Sequence, residues 1–268
     1  MRTKEFNIGD AAKLMGISPA LLRHYESKGI IDPMRGENDY RFYDVDMIKK
    51  LSGIRRFRSM GFSLKDAEVL VKAPKQEVAL QLHQERLTEL EKELEWKQHM
   101  LKVMDFLYTE LEAAVENTEK CAIVQKPAML WMKNRMTEQL GHKDSLQLRA
   151  WLDCMPVVLI SPRFLLADIM KKAETQQFGY VVEQEHARRL GLAHTPGAIK
   201  IEASRYVSAV VYSEDAEHIK TSQLSFMIEK AEEMGFKPAG DAWGITLGNF
   251  CIDQNVRKYH RVYLPIKK

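Results

Sequence analysis

Residues 18–31 read "SPALLRHYESKGII", a short helix with its own start and stop signals. Ser18 is an N-cap residue, Pro19 suits the first helical position, where a missing N–H costs nothing, and Gly29 closes the segment. Within it Ala20, Arg23, His24 and Ser27 fall at i, i+3, i+4 and i+7, a stripe of small and hydrogen-bonding side chains facing away from Leu21 and Leu22. Upstream, Asn7 can cap a first helix with Ile8, Ala11, Ala12 and Met15 on one apolar face, Asp10 in its first turn and Gly16 beyond its end. Two short helices joined by a tight glycine turn outline a helix-turn-helix, whose second helix presents its N-terminal half to base edges in the major groove. The stripe is therefore expected to face DNA.

Downstream, "IIDPMRGENDYRFYD" (30–44) reads as a hairpin. Alternation sets Arg41 and Tyr43 on one side and Tyr40 and Phe42 on the other, so one side can pack while the other reaches a phosphate. Helices over 45–60, ended by Gly61, and over 63–71 supply Ile48, Leu51, Ile54, Phe57, Leu64, Ala67 and Leu70 to a core. Net charge is only +3, but residues 1–73 hold 14 Lys and Arg against 10 Asp and Glu, while the remainder holds 26 against 27. The basic groups gather with aromatic rings in "RHY", "YRFY" and "IRRFR", as a phosphate-facing surface requires. Arg55, Arg56 and Arg58 are equally readable as a solvated helix face.

"FNIGDAAKLMGISPALLRHYESKGII" (6–31), "DYRFYD" (39–44) and "IRRFRSMGFSLKDAEVLV" (54–71) together resemble the winged helix-turn-helix of the MerR family of transcription regulators. The resemblance implies that Ser18, Arg23, His24 and Tyr25 lie in or beside the major groove and that Tyr40, Arg41 and Tyr43 grip the backbone from the wing. Lys65 would add a phosphate contact. Tyr25 is also placed to join Leu21 and Leu22 in the core. The wing turn has Asp39 where the family often has glycine, and aspartate tolerates a left-handed turn.

From Lys75 to Asn117 there is no Gly or Pro, and Leu80, Leu87, Leu94, Leu101, Tyr108 and Val115 recur every seven residues, with Leu90, Met104 and Leu111 at complementary positions. This heptad pattern predicts a coiled coil and a homodimer. His83 and Lys97 interrupt the seam, either to fix register or to pack on the DNA-binding unit. The resemblance implies antiparallel pairing that sets two recognition helices on successive turns of one duplex.

Residues 122–268 change character, to a strand-helix-strand-strand order that occurs twice: "IVQKPAMLWMKN", "SLQLRAWLDCM", "VVLISPRFLL", "QFGYVVEQE", then "AIKIEASRYVSAVVYS", "HIKTSQLSFMIEKAEEMG", "AWGITLGNFCI", "KYHRVYLPIK". An α+β domain with antiparallel sheets and a crevice between its units is expected. With "YLPIK" as its last strand, this half resembles the GyrI-like effector-binding domain of multidrug-responsive MerR members. That resemblance implies a pocket for apolar, often aromatic and cationic molecules, with an acid near the start of the penultimate strand, where this chain has Gly244. Trp131, Tyr180, Tyr206, Trp243, Phe250 and Tyr263 are the aromatic candidates, and Glu183 or Glu185 could supply a displaced charge.

The whole is expected to be three parts: a winged helix-turn-helix (1–73), a dimerisation helix (75–119) and an α+β effector domain (122–268). No apolar run reaches the roughly 18 residues of a membrane span and the first residues lack a signal peptide's apolar block, so a cytoplasmic protein without a membrane partner is expected. Cys121, Cys154 and Cys251 have no metal-ligand spacing, and neither metal nor cofactor is expected. The leading expectation is a small-molecule-responsive regulator whose dimer binds double-stranded promoter DNA. The family resemblance implies that it bends and untwists that DNA so RNA polymerase can engage. A metal or redox sensor using Cys121 is a second class. A small-molecule hydrolase using Glu183, Glu185 or His186 is a third, ranked last because no nucleophile, base and orienter can be read together.

Overall fold

Each N-terminal helix begins and ends on a local hydrogen bond. Asn7 accepts the Asp10 N–H at 2.8 Å to open α1 (Ile8–Met15), and Gly16, at φ +62°, provides the left-handed residue that ends it. Ser18 Oγ accepts the Leu21 N–H at 3.1 Å, and Pro19 occupies the first position of α2 (Pro19–Ser27). Asp44 and Ser63 cap α3 (Val45–Ser59) and α4 (Leu64–Val71) in the same way. Between α2 and α3, β2 (Met34–Arg35) and β3 (Arg41–Tyr43) are the two sides of the wing. A two-residue strand that the sequence pattern does not announce, β1 (Phe6–Asn7), pairs Phe6 with Tyr43 to give the order β1-β3-β2. The computed structural model describes residues 5–36, 40–134, 142–173, 175–214, 219–252 and 254–268. Asp39, in the wing turn, lies outside the described residues.

The chain divides into two compact units, Met1–Glu95 and Trp96–Lys268, and the division falls inside α5 (Gln76–Glu112). In the first unit Ala12, Leu22, Tyr25, Tyr43, Leu51 and Ile54 meet in one core, where each fully buried aliphatic side chain contributes about 2 kcal/mol. The expected solvated arginine face on α3 is partly structural. Arg55 donates to the Met15 carbonyl at the end of α1, and Arg58 Nη1 donates to the Phe62 carbonyl at 2.6 Å.

The second unit contains β4 (Ala122–Lys126), β5 (Met129–Lys133), α6 (His142–Leu152), β6 (Leu159–Phe164), α7 (Leu166–Lys171), β7 (Gln177–Glu183) and α8 (Gln184–Arg189) as its first pass. Its second pass is β8 (Ile199–Ile201), β9 (Ser204–Glu214), a 3-10 turn (Thr221–Leu224) running into α9 (Ser225–Glu233), β10 (Lys237–Pro238), β11 (Ala242–Ile252) and β12 (Asn255–Lys267). The duplicated order is present, with α7 and α8 as short additions. The separate sheets expected from it are instead one nine-stranded sheet, β4-β9-β12-β11-β6-β7-β5-β8, with β10 beside β12. The passes join where β6 meets β11, through the pairs Phe164–Ala242 and Arg163–Trp243. Each opening strand is broken in two, the first at Pro127, which has no N–H to give a ladder. The leading pieces then cross over: β4 pairs with β9 of the second pass, and β8 with β5 of the first.

Alternation sorts this sheet into two faces. Val207, Ala209 and Val211 of β9 pack with Leu224, Met227 and Ala231, and Leu130, Met132 and Tyr180 pack with Leu148 and Trp151 of α6. The opposite face carries Trp131, Tyr206, Trp243, Tyr259 and Tyr263, and onto it fold Phe106, Leu107 and Leu111 of α5.

Candidate functional site

The first candidate surface is α2 with the wing. Leu22 and Tyr25 hold one side of α2 in the core, so Ala20, Arg23, His24 and Ser27 are all exposed on the other. Arg23 makes no ion pair among the described residues, and Ser27 Oγ donates back to the His24 carbonyl at 2.8 Å. Ser18 is exposed with its hydroxyl engaged in the cap, Tyr40 is 67% exposed on the wing, and Lys65 is exposed in the first turn of α4.

Two expected contacts are corrected, and a third side chain, Arg41, is tied to a neighbour. Tyr43 is 0% exposed with its hydroxyl enclosed, because its ring packs in the core with Ala11 of α1, Leu22 of α2 and Leu51 and Ile54 of α3, while β1 pairs alongside β3. Tyr25 is buried in the same core. Arg41 shares the inward side with Tyr43 and donates its Nε to Glu26 Oε2 at 2.7 Å, while Arg35 reaches Glu26 Oε1 at 3.1 Å. No motif marks Glu26 in the sequence, although its place one turn after Leu22 on α2 is legible there. The Arg41 hydrogen bond holds its carboxyl below the usual carboxylate value.

The second surface runs along α5. Leu80, Leu87, Leu90, Leu94, Leu101, Met104 and Tyr108 are exposed, Leu101 at 70%, in a helix that has no buried residue of its own, and Val115 just beyond its end is exposed too. Leu111 departs from this seam and packs on the aromatic sheet face. His83 sits against Phe62 and Phe57, ring centroids 5.1 and 6.2 Å away, so packing on the DNA-binding unit accounts for it; Lys97 is exposed. Arg86, unmarked by any motif, donates Nε to the Met60 carbonyl at 3.0 Å and Nη1 to Glu89 and Glu93.

The third region is the aromatic face of the sheet. Trp243 and Tyr263 lie 4.7 Å apart, with Tyr206 edge-on to both, and Phe250 stacks on Tyr259 at 4.5 Å. Arg163 lies 5.4 Å over the Trp131 ring, whose Nε1 has no partner among the described residues. Tyr180 is corrected to the opposite face, since Val181 beside it already points at the aromatic cluster. A Cβ at Gly244 would stand 2.8 Å from the Arg261 carbonyl oxygen, so no acid can occupy that place. Glu183 ends β7 half-buried, Glu185 is exposed and paired with Arg189 at 2.6 Å, and His186 meets His99 edge-on at 4.6 Å. Burial lowers the His186 imidazole below its ordinary value and raises the Cys121 and Cys154 thiols. Raised thiols disfavour the thiolate that a soft metal binds.

Two openings flank the cluster. One, of about 290 Å³, is bordered by Tyr206, Trp243, Arg163, Asp241, Lys200 and Glu202, whose charges are already paired as Arg163–Asp241 and Lys200–Glu202. The other, of about 370 Å³, lies between β4, β12 and the end of α5.

The first unit is thus a winged helix-turn-helix whose second helix leaves Ala20, Arg23, His24 and Ser27 exposed. A family model described as MerR HTH family regulatory protein matches residues 6–73. The HTH-type transcriptional regulator CueR of Escherichia coli is 41% identical over 66 residues, 24% of this chain and 49% of that one. The HTH-type transcriptional regulator HmrR of Sinorhizobium medicae is 30% identical over 130 residues, 46% of this chain and 86% of that one. A solved EcmrR–DNA complex is 14% identical, covering 98% of this chain and all of that one at a TM-score of 0.36. The chain spans about half the length of the CueR relatives it matches. It belongs to the MerR family of helix-turn-helix regulatory proteins. Among the described residues no helix is long and apolar enough to cross a membrane.

Proposed function

We propose that this regulator binds double-stranded promoter DNA as a homodimer and changes the shape of that DNA when its C-terminal half takes up a small effector. Residues 1–73 read the duplex, 75–119 pair two copies through the exposed leucine stripe, and 122–268 act as a GyrI-like effector module. Binding of the effector shifts the dimer between two DNA-distorting states, to the extent that it prefers one of them, and so sets how RNA polymerase engages the promoter. One observation carries the reading: α2 has one side fixed in a core and the other left open at the edge of a wing, with an Arg23 that makes no ion pair among the described residues. Arg23 and His24 supply base-edge contacts, Tyr40 and Lys65 supply backbone contacts, and Arg41 is held by Glu26 as a brace for the wing.

The test is fluorescence anisotropy of the full chain on duplex DNA from upstream of its own gene, across a salt series. Arg23→Ala should weaken binding by about 1–3 kcal/mol, and Lys65→Ala should shallow the salt dependence by about one unit. Unchanged binding by both variants refutes the assigned face.

A further inference from the structure

The 370 Å³ opening has a charge imbalance that its neighbour lacks. Lys120, Lys126 and Arg261 border it against one carboxylate, Glu110, with Val124 and the Tyr263 ring as its apolar wall. Glu110 is already committed: its Oε2 accepts from Arg261 Nε at 2.7 Å and from Arg261 Nη2. Lys126 is half-buried and forms no ion pair among the described residues. Its Nζ lies 4.7 Å over the Tyr263 ring and 5.6 Å over Phe106. The chain's own ammonium therefore takes the aromatic seat that a cationic ligand would need. Burial lowers the Lys126 pKa, opposed by Glu110 and Glu183 and reinforced by Arg261. An entering anion would relieve this cost.

We propose that this cavity binds a small organic anion, a carboxylate or sulfonate on an apolar body, with Lys126 as its counter-ion and Tyr263 and Val124 against the body. The inference rests on the reading of this half as an effector module and names its ligand class. Asn117, Gln125 and Ser208 border the same space and can donate hydrogen bonds to the anionic head. An anion near Arg261 also competes with Glu110 for the guanidinium. Because Glu110 stands on α5, occupancy loosens the tie between that helix and β12, which gives the ligand a route to the dimerisation element.

Calorimetric titration of the full chain with naphthalene-2-carboxylate, its neutral alcohol naphthalene-2-methanol and tetraphenylphosphonium tests this directly. The carboxylate should bind about tenfold or more tighter than the alcohol. Lys126→Met, which keeps the stem, should abolish that preference, and Lys126→Arg should keep it. Equal affinity for carboxylate and alcohol, a preference for the cation, or a preference that survives in Lys126→Met overturns the anion assignment and leaves the effector-module reading standing. No binding by any of the three compounds, in protein that still retains DNA, overturns both.

Discussion

At the residue scale, His260 shows how burial becomes a pH dependence. It is buried within β12, its Nδ1 is 3.2 Å from Thr246 Oγ1, and burial, with Lys258 second, pushes its pKa down to about 3. In the unfolded chain the imidazole titrates near 6.5, so between these values the unfolded state binds a proton that the folded state refuses. This contribution is complete above pH 6.5 and shrinks as pH falls towards 3, by up to about 1.4 kcal/mol per pH unit. Thermal melts between pH 7 and pH 5 should therefore drop steeply for the native chain and less steeply for His260→Gln, which keeps a polar end for Thr246. Identical slopes would contradict the assignment. The same scale explains why sequence alone does not separate Tyr25 and Tyr43 from DNA contacts. An aromatic ring beside an arginine in a basic stretch looks the same whether it faces phosphate or core. The deciding fact for Tyr43 is long-range packing, since its ring joins Ala11, Leu22, Leu51 and Ile54 in one core.

At the element scale, the helices of the first unit were legible because their termini are local events. Asn7, Ser18, Gly16 and Gly29 each act within four residues of the hydrogen bond they satisfy. The heptads of α5 were legible for the same reason, except at Leu111, where the sheet claims a position that periodicity assigned to the seam. The remaining stripe is expected to bury on a second copy, at about 1.5–3 kcal/mol for each leucine fully covered. Leu87→Arg combined with Leu94→Arg, at positions 54% and 59% exposed, places charges on that stripe without disturbing a packed core. Light scattering should then report the monomer mass at micromolar concentration, with helical circular dichroism retained and promoter affinity reduced. A mass unchanged from that of the native protein would remove the stripe as the pairing surface.

At the scale of the whole molecule, the repeat was readable from the sequence and its closure was not. Both passes announce themselves through alternating apolar residues and glycine and proline stops, but nothing in either pass encodes the two residue pairs that join β6 to β11. Aromatic side chains were legible as a set, while their division between the two faces depends on register, which put Trp131 and Tyr180 on opposite sides. The exchange of β4 and β8 between the passes has a consequence for how such a protein can be taken apart. Severed in the segment between α8 and β8, neither product could complete its own hydrogen-bonded border, since each would have surrendered a border strand to its sibling. Fragments 1–193 and 194–268 made in one cell should consequently be recovered as a stoichiometric pair, and each made alone should aggregate. The repeated halves are thereby interlocked, each completing the border of the other.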